Sequence, residues 1–221
     1  MIMQELKNEF RKSMKIGKDA GHNLMIREAI VAGYLDVCRR PLCGLNQSVY
    51  DECGKTSKEV RDEFIDSCFI PAIKKLETFN DFDKWHRELC KCVFEYYDRC
   101  GYSKFYLGKA QKWINMSLKY IWLYCDEISL QKWISVLHVP IDRFIANDIA
   151  KEIGFLPGYG ERFFTDLDSS FDSNKRNYCW SNITDYEEYI KCQRAIRKKI
   201  QDTTPIEWEF EHWLCERKKR Y

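Results

Sequence analysis

Apolar residues recur at intervals of three and four along most of the chain, the spacing that lines one face of an α-helix. Stretches of strict alternation, which would mark half-buried strands, are few. Residues 3–16 and 22–37 read as two N-terminal helices. A third opens at Thr56-x-x-Glu59, a capping box in which a hydroxyl and a carboxylate satisfy exposed backbone N–H groups; Pro71 is expected to end or kink it. The segment 81–100 carries Trp85, Leu89, Val93, Tyr96 and Cys100 on one stripe. A longer stripe in 108–125 (Ala110, Trp113, Ile114, Ser117, Leu118, Ile121, Trp122, Cys125) defines a single buried face, with Lys109, Lys112, Met116 and Lys119 on an edge away from it. A short helix near 129–136 precedes an extended turn at Pro140, and another runs from 142 to about 153. Residues 154–183 are the least regular, a loop long enough to be functional or mobile. Capping boxes at Thr184-x-x-Glu187 and Thr204-x-x-Glu207 open the last two helices, the second with Pro205 at its first position, where a missing N–H is no loss.

This pattern gives roughly eight to ten helices and an all-α, compact multi-helix fold in which 1–221 form a single helical unit. Composition adds one feature: 15% aromatic residues, with 7 Trp, 13 Tyr and 13 Phe. Such an excess fits a heavy core or a base-stacking site, and the core is the first expectation. Net charge is only +2, so no overall polycation announces a nucleic-acid partner. Basic clusters at Arg39-Arg40, Lys74-Lys75, Arg197-Lys198-Lys199 and Arg217 to Arg220 mark a solvated face or a phosphate track. The N-terminal residues lack the apolar region of a secretory signal and no apolar run reaches membrane-spanning length, so a cytoplasmic protein with no membrane partner is expected. The 11 Cys are then expected to be reduced. Cys90, Cys92 and Cys100 read as small buried hydrophobes; a metal site is the lesser alternative, and no metal or other cofactor is expected.

Two segments carry candidate chemistry. Phe105 to Met116 puts Gly108 before a long amphipathic helix with Lys109 and Lys112 in its first turns, where cations are normally disfavoured. Such lysines suggest an external anion, or an amine whose pKa is meant to fall; an ordinary solvated lysine is the plain alternative. His138-Val-Pro140-Ile-Asp142-Arg143-Phe-Ile-Ala146 sets a carboxylate straight after an extended turn, at the mouth of another helix. Asp142 is then an N-cap, a site residue, or both. Arg143 beside it is an ion-pair partner or a phosphate contact.

Together these segments resemble the core of the helix-hairpin-helix DNA glycosylases, the superfamily of endonuclease III, with the closest likeness to its archaeal 8-oxoguanine glycosylase branch. Gly108 and Gln111-Lys112-Trp-Ile match the hairpin and its lysine, and Pro140 to Ala146 match the aspartate segment. The likeness covers about 40 residues, from 105 to 147. Gly108 stands alone where the hairpin usually carries a Pro-Gly-x-Gly pattern, and the iron–sulfur cysteines of endonuclease III are absent. Four stretches, GKAQKWINMSLKY, HVPIDRFI, WSNITDYEEY and PIEWEFEHWL, are also similar to a bacterial group of small proteins, a likeness that implies no activity.

The glycosylase resemblance implies a central helix-hairpin-helix-like core near 80–153, with the terminal helices packed together around it. It implies excision of a damaged or modified base flipped out of double-stranded DNA. Lys112 is then the nucleophile that attacks the sugar C1′ and forms a Schiff base, with Lys109 as the alternative, and Asp142 stabilises positive charge on the deoxyribose. Gly108, Lys109, Gln111 and Arg143 are expected at the DNA, and His138, Trp180 and Trp208 are candidates for the base pocket. Two other readings stand beside this one. A non-enzymatic helical interaction protein, of the kind a bacterial stress or defence system uses, would employ the 156–183 loop and the C-terminal aromatic helix. A metal-dependent nuclease would need a compact carboxylate cluster that the sequence does not display.

Overall fold

A computed structural model describes residues 24–38, 54–158, 178–200 and 202–218. Their elements are α1 (Ile26–Cys38), α2 (Ser57–Phe64), a π-helical turn (Ile65–Phe69), α3 (Ile70–Lys75), α4 (Phe82–Arg99), α5 (Leu107–Tyr124), a 3-10 turn (Gln131–Trp133), α6 (Ala146–Ile153), a second 3-10 turn (Trp180–Asn182), α7 (Tyr186–Lys199) and α8 (Pro205–Lys218). No strand occurs among the described residues, and none of their helices is long and apolar enough to cross a membrane. The helix expected over 3–16 lies outside the described residues, as does most of the 154–183 loop.

α5 is the axis of the fold. The sequence predicts one buried face for it; instead 16 of its 18 residues are buried, and only Lys112 and Trp122 remain half-buried. A helix covered on all sides is a core helix, and its polar residues must then find partners inside the protein. α1 packs closest against it. Gly33 permits that contact: a Cβ there would stand 2.5 Å from Ser117 Oγ and 2.8 Å from the Ser117 backbone nitrogen. Trp113 Nε1 donates to Ile30 O at 3.0 Å, and Tyr120 Oη donates to Asp36.

The aromatic excess goes into this core. Trp113 is fully buried, with ring centroids of Tyr34, Phe64, Phe69 and Phe105 at 5.0, 5.3, 5.3 and 6.0 Å. Edge-on and tilted contacts of this kind add to the area term.

Capping chemistry sets several boundaries. The boxes at Thr56/Glu59 and Thr204/Glu207 both form. Thr184 does not cap α7: Asp185, one residue later, accepts from the Glu187 and Glu188 N–H groups at 2.7 and 3.2 Å. Nor does Pro71 end its helix. The chain widens into the π-helical turn just before it, where Ile70 N–H bonds Ile65 O, and Pro71 falls in the first turn of α3, where no N–H is required. The cysteine expectation holds for Cys90, which is buried; Cys100 is half-buried, and Cys92 turns away from the α4 stripe and is exposed.

Candidate functional site

The Lys112 ammonium and the Asp142 carboxylate, 30 residues apart in the chain, meet at 3.0 Å, with side chains 12% and 11% exposed. Each is put there by its backbone. Lys112 lies on the first turns of α5, at the single point of that edge the fold leaves half-open. Asp142 closes the extended segment 139–141 and uses its other oxygen, Oδ1, to accept from the N–H groups of Phe144 and Ile145 at 2.8 and 3.3 Å. It therefore holds the turn that leads into α6, whose own N-cap position is Ile145 and not Asp142, and it is also a partner for the lysine. Burial works against its charge, but Lys112 and the two backbone donors outweigh it and hold the carboxyl below its usual range.

Trp180 lies over the lysine. Its ring centre is 4.6 Å from Lys112 Nζ, a cation–π contact, and the indole is half-buried. The turn that carries Trp180 sits directly on Gly108. A Cβ at Gly108 would come within 1.9 Å of Trp180 O, so only glycine fits. The Gly108 N–H donates to Ile183 O at 2.9 Å. The DNA contact expected of Gly108 gives way to a packing role, because its N–H is already engaged inside the protein.

Other expected DNA contacts are also turned inward. Gln111 is fully buried; its Nε2 donates to Gly108 O and Ile141 O at 2.9 and 2.8 Å, and its Oε1 accepts from Ile141 N–H at 3.2 Å. It is a clamp on the Asp142 segment and not a surface contact. Lys109 is buried too, donating to Tyr102 Oη at 3.1 Å and Lys104 O at 2.5 Å, so it stands with Tyr102 and not with Asp142. Arg143 is exposed, and its guanidinium lies 4.9 Å from the Phe144 ring centre.

Of the three pocket candidates, Trp180 alone touches Lys112 in this arrangement. Trp208 is buried between α6 and α8, donating to Glu152 Oε2 at 3.1 Å and packing on His212 with ring centroids 4.1 Å apart. His138 is buried behind the site, between Asp83 and Tyr189.

Two features are missed by sequence reasoning. The first is a buried ion pair farther along the same edge of α5, where Lys119 donates to Glu209 of α8 with side chains 1% and 3% exposed. The Lys119 ammonium lies 4.3 Å from the Phe210 ring centre and 5.7 Å from that of Trp213. Burial pushes the Glu209 carboxyl up, Lys119 opposes this, and Asp142 and Lys112 both contribute, so the two ion pairs are within electrostatic reach of each other. An acid between Trp208 and Phe210 in an aromatic helix is the one local signal that could have marked it. The second is Gln193 of α7, whose side chain bonds both backbone groups of Val139, at 2.9 and 2.8 Å.

The edge of α5 thus carries two opposite-charge pairs flanked by Trp180 on one side and by Phe210 and Trp213 on the other. Chemically it offers an amine, a carboxylate held ionised beside it, and aromatic faces. No group of three or more His, Cys, Asp or Glu suited to hold a metal occurs among the described residues. Comparisons with protein-family models, curated proteins and solved structures gave no match to this chain.

Proposed function

We propose that the protein is a DNA glycosylase that removes a damaged or modified base from double-stranded DNA, with Lys112 as nucleophile and Asp142 as its electrostatic partner. One observation carries the reading: the lysine and aspartate singled out by the resemblance, 30 residues apart, lie 3.0 Å from each other at a half-open point of a helix that is otherwise buried except at Trp122.

The steps follow from the two groups. A target nucleotide leaves the duplex and presents its sugar C1′ to the Lys112–Asp142 pair, with the Trp180 ring available to stack on the base. As the C1′–N bond breaks, its electron pair goes to the departing base and positive charge grows on the deoxyribose, facing the Asp142 carboxylate. The Lys112 ammonium gives a proton to the departing base, and the amine so formed adds to C1′. Ring opening then yields a Schiff base, from which elimination can nick the strand. Exposed Arg143, next to Asp142, is positioned to meet a backbone phosphate without reading sequence.

The test is release of free base from duplex oligonucleotides bearing 8-oxoguanine or uracil, against an unmodified duplex. Base release that falls to background in Asp142→Asn supports the reading. A purified, folded protein that releases no base from either lesion, and forms no covalent adduct with an abasic site, overturns it and leaves the ion pair as a structural contact.

A further inference from the structure

Behind the ion pair runs a continuous buried hydrogen-bond chain that ends at the surface on Asp83. The Asp83 carboxylate only accepts, so the His138 Nε2 that lies 3.0 Å from its Oδ1 must carry the proton. In a neutral ring Nδ1 is then an acceptor, and Tyr189 Oη, 3.0 Å away, donates to it. That leaves the Tyr189 oxygen to accept from Asn115 Nδ2 at 2.9 Å, while the second Asn115 proton faces Gln111 Oε1 at 3.1 Å. Gln111 grips both backbone groups of Ile141, the residue before Asp142. Each donor in the series meets an acceptor, with Val139 O a more distant alternative for Asn115 Nδ2 at 3.5 Å, and the fixed charge at the far end sets the direction of the chain as far as Asn115.

That charge is itself held in place. Arg197 Nη2 lies 2.9 and 3.0 Å from the two Asp83 oxygens, and Arg194 Nε lies 3.3 Å from Oδ2. Burial opposes the Asp83 charge, but the His138 hydrogen bond and Arg197 outweigh it. His138, Tyr189, Asn115 and Gln111 are all 1% exposed or less, so none of their bonds can be replaced by bulk water.

We propose that Asp83, His138, Tyr189 and Asn115 are positioning residues, a relay that fixes the Gln111 amide and through it the Ile141–Asp142 backbone in the register that sets Asp142 against Lys112. The inference rests on the reading of Lys112 and Asp142 as the working pair, and goes beyond it by assigning a role to Asp83, whose own hydrogen bonds go to His138, Arg194 and Arg197. An amide at position 83 can donate to Nε2 and so admit the other imidazole tautomer. Nδ1–H would then point at the Tyr189 oxygen, the hydroxyl proton would need a new acceptor, and the Asn115 amide that braces Gln111 Oε1 would lose its fixed orientation, leaving Gln111 to its backbone contacts alone.

Asp83→Asn and Tyr189→Phe test this in the full-length chain, with two readouts. The first is hydrogen exchange of the Ile141 amide, the N–H that Gln111 Oε1 holds, followed by NMR. The second is the single-turnover rate of borohydride-trapped adduct on an abasic-site duplex, measured beside duplex affinity. Expected are a loss of Ile141 protection relative to other core amides in both variants and an adduct rate lower by roughly 10- to 100-fold, the range in which misplaced reacting groups register, with affinity unchanged. Val93→Ala, a cavity in the same core, controls for lost stability and is expected to leave the relative protection of Ile141 where it is. Ile141 protection equal to wild type in both Asp83→Asn and Tyr189→Phe overturns the relay. Because that readout needs no DNA, a wild-type protein that forms no adduct would refute the glycosylase reading while the exchange still decides the relay.

Discussion

Asp142 divides its carboxylate between two tasks: Oδ2 faces the Lys112 ammonium at 3.0 Å, while Oδ1 caps the turn into α6 through the N–H groups of Phe144 and Ile145. An amide can keep the cap but not the charge. Asp142→Asn is therefore expected to preserve α6 and to lower stability by about 2 kcal/mol, between the value of a surface pair and that of a fully buried one. Urea denaturation measures it, and pH gives its signature. The folded-state carboxyl lies below its unfolded value, so its contribution is present above about pH 4 and is lost as pH falls further. The gap between wild type and Asp142→Asn should close below that pH; a gap that persists there would refute the ion-pair account.

His138 gives a second, separate pH window. Burial pushes its imidazole down to about 4, with Asp83 partly offsetting the effect and Arg197 adding to it. His86, whose ring centre is 4.4 Å away, is pushed down in the same direction by burial. Both rings are neutral in the folded protein, while an unfolded histidine takes its proton near pH 6.5. The unfolded chain therefore binds more protons below that pH, and stability should fall as pH drops from about 6.5 to about 4. Urea midpoints across this range check it. The slope should be shallower in His138→Gln by up to roughly 1.4 kcal/mol per pH unit, one proton's worth. A midpoint that stays flat in wild type between these values would contradict it.

Lys119 and Glu209 form the more deeply buried pair, and removing one partner leaves the other charge stranded. Lys119→Met is expected to destabilise by about 3–5 kcal/mol, and Lys119→Met with Glu209→Leu to recover most of that loss. A double-mutant cycle in urea reads the coupling. Strictly additive single effects would show that the two side chains do not depend on each other.

Gly108→Ala would drive a methyl group into Trp180 O and the Ser181 Cα. The turn over Lys112 must move, at about 1–3 kcal/mol. The expected consequence is faster labelling of Lys112 by an amine-specific reagent, read by peptide mass spectrometry. Labelling at the wild-type rate would mean that Trp180 does not shield the lysine.

Features encoded within four residues are legible in the sequence: the Thr56/Glu59 and Thr204/Glu207 boxes, the apolar stripes of α4 and α5, and the all-helical class. The failures have local or long-range causes. Thr184 lost the cap to its neighbour Asp185, which offers a stronger acceptor one residue on. Pro71 was absorbed by the π-helical turn before it. The α5 edge bearing Lys109, Lys112, Met116 and Lys119 is visible as a polar edge, yet its partners come from positions such as Glu209, 90 residues away, which no periodicity reports. The inward bonding of Gln111 is hidden for the same reason, since nothing near it in sequence reveals that it faces the Ile141 backbone.

The most direct measurement of the central claim is borohydride trapping on a duplex with a single abasic site, comparing wild type with Lys112→Gln. The account predicts a covalent protein–DNA adduct in wild type, mapped by mass spectrometry to Lys112 and absent from the variant. An adduct that persists in Lys112→Gln, or its absence from folded wild-type protein, would contradict it.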